Sequence, residues 1–260
     1  MAFPTPDSIL DYFFFLDSFG TFLTFNVMAG LTVLYPFTLL LLQSLIPEGR
    51  HSSALITVVE RVQNCFMLFV SVLAFAGCVH VMWTEGAPSD AWLLLCDPEK
   101  RVWPSLDRWN LFFCFTKILE WGDTWMLVLK GKRMLPPPTS QTFLHVFHHT
   151  TTLSIAWVAW KRSFSVFWLG PVTNSFVHIP MYLYYLLTSF VPSVRRFGTL
   201  ITPIQLLQFV ICLVTCIVSL MMSGCKDDGR ANTWMMLTYS VFFGLFVQMF
   251  VRRVKKERKE

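Results

Sequence analysis

Long apolar stretches, each of about the length that crosses a lipid bilayer, dominate this chain. A membrane-spanning helix needs roughly 20 consecutive, mostly apolar residues. Six of seven such stretches contain no Asp, Glu, Lys or Arg, and only the third contains charged residues. The seven stretches are residues 22–46, 62–84, 109–129, 142–160, 164–190, 200–223 and 231–251. Because backbone groups in hydrocarbon must be satisfied within their own segment, the pattern predicts an all-α membrane protein with seven transmembrane helices.

The composition excludes several other classes of protein. The 260 residues are 54% hydrophobic and only 14% charged, whereas a soluble domain carries about 25% charged residues. Disorder is excluded as well, because disordered chains have low hydrophobicity. The net charge of +5 is too small and too scattered for a nucleic-acid-binding protein. We therefore predict a single domain over residues 1–260, with little mass outside the bilayer.

The basic residues predict which face of this protein is cytosolic. Seven spans place the termini on opposite faces, with 13 basic residues on the C-terminal face and seven on the other. The positive-inside rule then predicts a cytosolic C-terminus, a basic cytosolic tail over residues 252–260 and a non-cytosolic N-terminal segment over residues 1–21. That segment lacks the features of a cleavable signal peptide, and Ser8 to Phe19 predict a short interfacial helix. Lys256 and Arg258 resemble a dilysine-type retrieval signal for the endoplasmic reticulum, although a stop-transfer cluster explains them equally well.

Polar and ionisable residues inside the predicted spans form four clusters. Such residues are expensive in a membrane and usually face an internal cavity with a function. Positions three and four apart share a helix face, and the topology places the clusters in the cytosolic half of the bundle. His178 would form the floor of a chamber open to the cytosol. The four clusters are Lys117, Glu120, Asp123 and Thr124; His145, His148 and His149; Asn174, His178, Tyr182, Tyr184 and Tyr185; and Thr202, Gln205 and Gln208.

The histidines allow two kinds of chemistry. His-x-x-His-His also occurs in membrane di-iron desaturases and hydroxylases, but those enzymes need more histidines than the six in this chain. A single zinc site stays an alternative. In the other interpretation, a neutral imidazole attacks an acyl thioester and a second histidine binds or deprotonates a co-substrate. Amide and hydroxyl groups of Asn174, Gln205 or Thr124 would then stabilise a developing oxyanion.

Two further alternatives follow from the same residues. Soluble condensing enzymes use a cysteine nucleophile, and Cys114 lies one helical turn before Lys117. Seven helices with buried charge also describe a transporter or receptor. Transporters usually show internal repeats, and this sequence has no evident repeat. Turnover of a substrate, rather than its movement, would separate an enzyme from a transporter.

The four clusters together resemble the motifs of one known family. Lys117-Ile-Leu-Glu120-Trp-Gly-Asp123-Thr124 is similar to the K-x-x-E-x-x-D-T motif of the ELO family of very-long-chain fatty acid elongases. His145-Val-Phe-His148-His149 resembles its histidine box. The H-x-x-M-Y-x-Y-Y and T-x-x-Q-x-x-Q motifs match from His178 to Tyr185 and from Thr202 to Gln208, in the family's order.

This resemblance implies a fatty acid elongase of the endoplasmic reticulum membrane that condenses a long-chain acyl-CoA with malonyl-CoA. The products would be a 3-ketoacyl-CoA, CoA and CO2, formed without a metal or redox cofactor. By analogy, His148 would accept the acyl group, His149 and His178 would handle malonyl-CoA, and His145 would orient them. Lys117, Glu120 and Asp123 would hold the site together electrostatically. Partners would include the lipid bilayer and the ketoreductase, dehydratase and enoyl reductase of the elongation cycle.

The helical bundle is predicted to sheathe the acyl chain in a substrate tunnel. At its cytosolic mouth, basic residues could bind the CoA phosphates. These are Lys130, Lys132, Arg133, Arg195 and Arg196. The closed end of the tunnel would set the chain length. The candidate stops there are Phe209, Leu213, Phe242 and Phe246.

Overall fold

The computed structural model describes residues 16–49, 53–85, 90, 95, 97, 101–163, 166–222 and 229–257. Within these ranges the chain is helical and forms no β-strand. We number the α-helices in chain order, and one 3-10 helix, Pro192–Leu200, precedes α8. The helices are α1 Leu16–Phe22, α2 Phe25–Leu45, α3 Ala54–Thr84, α4 Trp103–Leu119, α5 Trp121–Leu129, α6 Ser140–Lys161, α7 Leu169–Phe190, α8 Ile201–Met221 and α9 Gly229–Glu257.

Each predicted span coincides with a long helix or, in one case, with a pair of helices. Within the described residues, four segments are long and apolar enough to cross a membrane: Phe25–Leu45, Ala54–Thr84, Pro192–Met221 and Asn232–Lys255. The protein is therefore an all-α, multi-pass membrane protein. The helices α4–α5, α6 and α7 carry the charged and polar motifs, which lower their hydropathy. For that reason the count of seven transmembrane helices stays a prediction.

Several helix ends differ from the predicted boundaries. Helix α3 begins eight residues before position 62, so Glu60 and Arg61 lie within a helix and not in a loop. Arg61 donates to the Ser189 backbone carbonyl at 2.7 Å, which ties the start of α3 to the end of α7. Helix α1 covers only the end of the predicted Ser8–Phe19 helix, and residues 8–15 lie outside the described part of the chain. Helix α9 continues through the predicted basic tail as far as Glu257, whereas residues 258–260 are not described.

Six helices form a closed ring. Helix α3 packs against α7, α7 against α8, α8 against α9, α9 against α6, α6 against α4, and α4 against α3. Helix α2 is not a member of the ring and packs on α6 and α5 from one side. This arrangement gives α4–α5, α6 and α7, which carry three of the four motifs, a common interior.

The third predicted span is not one continuous helix, because it breaks at Glu120 between α4 and α5. Gly122 follows directly and lowers the helix propensity at this point. The Gln63 side chain donates to the Leu119 carbonyl at 3.2 Å, so α3 satisfies a backbone group at the break. A Cβ atom at Gly122 would lie 2.5 Å from Nε2 of Gln63. Glycine at 122 therefore lets α3 approach closely enough to stabilise the break.

We expect Gly122→Ala to destabilise the protein by about 1 kcal/mol, because the flexible Gln63 amide must move away and its hydrogen bond to the Leu119 carbonyl is lost. Thermal unfolding of the purified protein in detergent measures this loss. Gly244→Ala is the matched control, since a Cβ atom at this helical glycine meets nothing within 4 Å. Equal melting temperatures for the two variants would show that the close approach of α3 does not matter.

Candidate active site

At the break between α4 and α5, the buried ion pair of Lys117 and Glu120 is connected to α7 through Asn174. Lys117 Nζ donates to Glu120 Oε1 at 2.5 Å and to Asn174 Oδ1 at 2.6 Å. The Lys117 and Glu120 side chains are only 2% and 1% exposed. Lys117 Nζ also lies 4.2 Å from the centre of the Phe113 ring, a cation–π contact. The lysine charge is thus compensated by a carboxylate, an amide oxygen and an aromatic face.

The same carboxylate faces two histidines from two other helices. Glu120 Oε1 lies 3.4 Å from His178 Nδ1, and Glu120 Oε2 lies 3.9 Å from His149 Nδ1. Asn174 Nδ2 is 3.3 Å from His178 Nε2, so both ring nitrogens of His178 have a polar neighbour. Glu120 Oε2 and His149 Nδ1 are buried and have no hydrogen-bond partner. Glu120 is therefore the point at which the first three predicted clusters meet.

Local capping fixes the position of the histidine helix. Thr139 Oγ1 accepts from the Thr142 N–H at 3.1 Å, and Thr142 Oγ1 accepts from the Thr139 N–H at 2.9 Å. This reciprocal capping box satisfies two N–H groups that a helix start leaves free. Helix α6 thus begins one turn before the histidine box, and the i, i+3, i+4 spacing turns its three imidazoles toward one region.

A hydrogen-bonded chain surrounds the first histidine of the box. Thr124 Oγ1 lies 2.8 Å from His145 Nε2, and Tyr35 Oη lies 2.7 Å from Thr124 Oγ1. Thr124 and Tyr35 are fully buried. The centres of the His145 and His149 rings are 4.5 Å apart, so ring packing extends this hydrogen-bonded series to His149, which faces Glu120.

The remaining carboxylate of the first motif binds α7 to α5. The Tyr182 hydroxyl donates to Asp123 Oδ2 at 2.6 Å. Tyr185 does not join this contact, because its side chain is 40% exposed and its ring packs on Tyr182 and Tyr184. Asp123 therefore has a hydrogen bond of its own to α7, and the Tyr182 ring centre lies 5.5 Å from that of His178, next to the Glu120 cluster.

His148 differs from the other three clustered histidines. In the described part of the chain it makes no hydrogen bond or ion pair, and its contacts are with aromatic rings. Its ring centre lies 5.2 Å from that of His149, 5.3 Å from Phe242 and 6.4 Å from Phe246. The His148 nitrogens are thus not committed to any protein group.

Three of the candidate chain-length residues lie beside the histidine box. Phe242 and Phe246 pack on His148 itself. The Phe209 ring lies 6.1 Å and 5.1 Å from the same two rings. A role of these phenylalanines in setting the chain length stays a prediction.

The fourth motif contributes buried polar groups without a hydrogen bond to the histidines. Thr202 and Gln208 are buried in α8. Gln205 Nε2 lies 3.7 Å from Met181 Sδ, a weak acceptor. Among the described residues, no hydrogen bond connects either glutamine to the Glu120 cluster or to the histidine box.

The predicted CoA-binding residues fall into two groups. Lys130 pairs with Glu60 at 2.6 Å, whereas Arg133 donates to the Gln43 carbonyl at 2.7 Å and lies 3.5 Å from Glu48. These two residues therefore hold α2, α3 and α5 together. The exposed members of the set are Lys132, Arg195 and Arg196.

Within the part of the chain that the structure describes, no group of three or more His, Cys, Asp or Glu side chains has an arrangement that could hold a metal ion. His145 and His178 instead make close contacts to Thr124, Glu120 and Asn174. Cys114 is fully buried in α4.

The sequence interpretation missed three polar residues that organise the site. Tyr35 and Gln63 contact Thr124 and the helix break, and Gln43 Oε1 accepts from the Met134 and Leu135 N–H groups at 2.6 and 2.9 Å. Each lies in or next to an apolar predicted span, so a polar group in hydrocarbon was the available signal. These residues belong to none of the four clusters, and only the packing of α2 and α3 reveals their contacts.

Comparison with known proteins finds a matching family model and several similar proteins. The model of the ELO: GNS1/SUR4 family matches residues 21–260. Fatty acid elongase A of Dictyostelium discoideum is 30% identical over 75% of this chain and 71% of its own length. Very long chain fatty acid elongase 6 of Gallus gallus is 26% identical, with 75% and 72% covered. Very long chain fatty acid elongase 2 of Rattus norvegicus is 34% identical over 57% of this chain, and the match spans about half of its length, 54%.

A match over nearly the whole chain, together with the four ordered motifs, assigns the family. In this structure the motif residues converge around Glu120 and the histidine box. The chain belongs to the ELO (GNS1/SUR4) family of fatty acid elongases.

Proposed function

We propose that this elongase condenses a long-chain acyl-CoA with malonyl-CoA to give a 3-ketoacyl-CoA, CoA and CO2, with His148 as the acyl-accepting nucleophile. One observation carries the proposal. Among the described residues, His148 makes no hydrogen bond or ion pair and packs on aromatic rings, whereas His145 is bound to Thr124, and His149 and His178 face the Glu120 carboxylate. A nucleophile needs a nitrogen lone pair that no other group occupies.

In the first step, a His148 nitrogen lone pair attacks the thioester carbonyl of the acyl-CoA. A C–N bond forms, the C–S bond breaks, and the CoA thiolate takes the proton that the imidazolium loses. The products are free CoA and a neutral acyl-imidazole. The Phe242 and Phe246 rings on His148 would exclude water from this intermediate and protect it from hydrolysis.

In the second step, the malonyl carboxylate leaves as CO2 and its bonding electrons form an enolate. The enolate carbon attacks the acyl carbonyl, the C–N bond breaks, and the released imidazole regains a proton from the medium. His149 and His178 are the groups we assign to malonyl-CoA. They face one carboxylate at 3.9 and 3.4 Å, contacts that would tighten when the substrate fills the site.

The ion pair supports this chemistry by holding Glu120 in place. Lys117 compensates the carboxylate charge, and Asn174 links Lys117 to His178. Asn174 contacts both Lys117 and His178 and is our candidate to stabilise an oxyanion. Because the Tyr182 hydroxyl donates to Asp123, we assign these two residues to the packing of α5 on α7.

The architecture supports a tunnel that holds the acyl chain. A closed ring of six helices can enclose a chain. In the seven-span topology the polar cluster lies in the cytosolic half of the bundle, the C-terminus is cytosolic as well, and the enzyme lies in the endoplasmic reticulum membrane. No metal or redox cofactor takes part in the condensation. The 3-keto product must be reduced, dehydrated and reduced again, so a ketoreductase, a dehydratase and an enoyl reductase would act next.

The function is tested by supplying membranes that contain this protein with radiolabelled malonyl-CoA and acyl-CoAs of graded length. We expect a labelled 3-ketoacyl-CoA and labelled CO2 in equal amounts. Incubation with a labelled acyl-CoA alone should release free CoA and leave the acyl label on the protein. No 3-keto product at any acyl length, with iron or zinc co-purifying, would instead support a metal-dependent desaturase or hydroxylase.

Among the basic residues, we expect Arg195 and Arg196 to contribute most to CoA binding. Both are exposed, whereas Lys130 is paired with Glu60. The double variant R195Q/R196Q should raise the KM for acyl-CoA about tenfold at low salt and leave kcat nearly unchanged, because phosphate contacts act on binding. The effect should shrink in high salt. K130Q is the control, and a larger KM change for K130Q than for the arginine pair would contradict this assignment.

A further inference from the structure

Tyr35 is a fully buried tyrosine on a helix that contributes none of the four motifs. It lies in α2, outside the six-helix ring, next to Pro36. Its exposed fraction is 0%, and its ring centre lies 5.1 Å from that of Trp121 and 6.4 Å from that of His149. Burying a phenol hydroxyl in hydrocarbon is costly unless it has a hydrogen-bond partner. The partner here is Thr124, a residue of the site.

The hydroxyl of Thr124 joins Tyr35 to His145. The oxygen–oxygen distance is 2.7 Å and the oxygen–nitrogen distance is 2.8 Å, both within the normal range for hydrogen bonds of these groups. The Thr124 hydroxyl has one proton and two lone pairs, so it can donate to one neighbour and accept from the other, or accept from both. With Thr124 Oγ1 bound on both sides, the threonine rotamer is fixed, and His145 Nε2 is committed to it.

The fixed position of His145 also affects His149 and its distance to Glu120, which the proposed reaction needs. The His145 and His149 ring centres are 4.5 Å apart, and Tyr35 also contacts the His149 ring directly. Trp121 Nε1 donates to the His149 carbonyl at 3.3 Å. This hydrogen bond holds the backbone of His149 against Trp121, the ring on which Tyr35 also packs. His149 is thus supported on the α2 side and faces Glu120 on the other. Its Nδ1 has no hydrogen bond, so ring packing and not a polar contact sets its distance to the carboxylate.

We propose that Tyr35 is a positioning residue, which acts through Thr124 on His145 and His149. The inference rests on the proposed condensation and adds a residue from the outer helix to its machinery. Without the hydroxyl, Thr124 loses one of its two partners in a site from which bulk water is excluded. The threonine can then rotate to another acceptor, His145 loses its fixed hydrogen bond, and His149 is no longer held toward Glu120. Such a change alters the rate of the chemical step rather than the binding of acyl-CoA.

The first test is Tyr35→Phe, which removes one oxygen atom and keeps the ring. We expect kcat for condensation to fall about 10- to 100-fold, as is typical when a group that orients a site residue is removed. The KM for acyl-CoA should stay within about twofold. Tyr239→Phe is the matched control, because Tyr239 is buried in α9 and belongs to neither hydrogen-bonded cluster. Equal kcat values for wild type and Tyr35→Phe, in membranes where the wild type is active, would overturn the proposal.

The second test asks whether Tyr35 acts through Thr124. Thr124→Val should lower kcat to a similar level, and Tyr35→Phe/Thr124→Val should be no slower than the slower single variant, because both remove the same chain. Thr124→Ser keeps the hydroxyl and should recover at least tenfold over Thr124→Val. Multiplied losses in the double variant would refute the shared pathway. Wild-type turnover in the same assay separates these outcomes from failure of the proposed function, since a wild type without 3-keto product contradicts the condensation itself.

Discussion

His148→Ala should abolish condensation and leave the fold intact. The imidazole makes no hydrogen bond or ion pair with any residue that the structure describes, so its removal breaks no polar contact there. Its loss removes the only group we assign to acyl transfer, and loss of a catalytic nucleophile typically costs a factor of at least about 10³. The expected result is a protein with a near-wild-type melting temperature, labelled product at background and no acyl group bound to the protein.

His80→Ala is the control for this experiment. His80 is an exposed histidine of α3 and belongs to none of the clusters around Glu120. Its removal should leave turnover within about twofold of the wild type. If His148→Ala still carries the acyl label while another histidine variant does not, the nucleophile is a different imidazole. Loss of activity together with a large drop in melting temperature would point to a structural role for His148.

Lys117→Met should be among the most destabilising single substitutions in this protein. It leaves the Glu120 carboxylate, 1% exposed, without its cation. Removing one partner of a buried ion pair costs about 3–5 kcal/mol, because the remaining charge is uncompensated. For a chain of this size such a loss corresponds to a drop of roughly 10 °C in melting temperature. Thermal unfolding of purified protein in detergent measures this drop.

The double variant Lys117→Met/Glu120→Gln separates charge burial from packing. It removes both charges, so it should recover much of the stability that Lys117→Met loses, although not the activity. Lys130→Met is the control for an exposed pair, since Lys130 and Glu60 are 33% and 27% exposed. Pairs of this kind contribute about 1 kcal/mol or less. A double variant that melts below Lys117→Met would mean that the contacts of Glu120, and not its charge, maintain the fold.

Much of the helical architecture was predictable because it depends on local properties of the chain. A bilayer-length apolar run must satisfy its own backbone, so the long helices lie where the seven stretches predicted them. The positions of the helix breaks depend less on the local sequence. The interruption at Glu120 depends on Gln63 of α3, which approaches the Leu119 carbonyl and Gly122 only in the folded protein. No periodicity in residues 109–129 indicates that partner.

The site residues could be selected from the sequence for a similar reason. Charged and imidazole groups in hydrocarbon are rare and costly, and their i, i+3 and i+4 spacing follows from helix geometry alone. The sequence by itself therefore determined an all-α membrane protein of the elongase family, with its polar residues in four clusters.

Which of those residues touch one another was decided only by the tertiary structure. Distances between helices depend on how whole faces pack, and this packing placed Glu120 against His149 and His178 but left His148, within the described residues, with aromatic neighbours and no hydrogen bond or ion pair. It also brought Tyr35 to Thr124 from a helix without a motif, and it placed Phe242 on His148. These contacts join residues far apart in the chain, and local propensity carries no information about them.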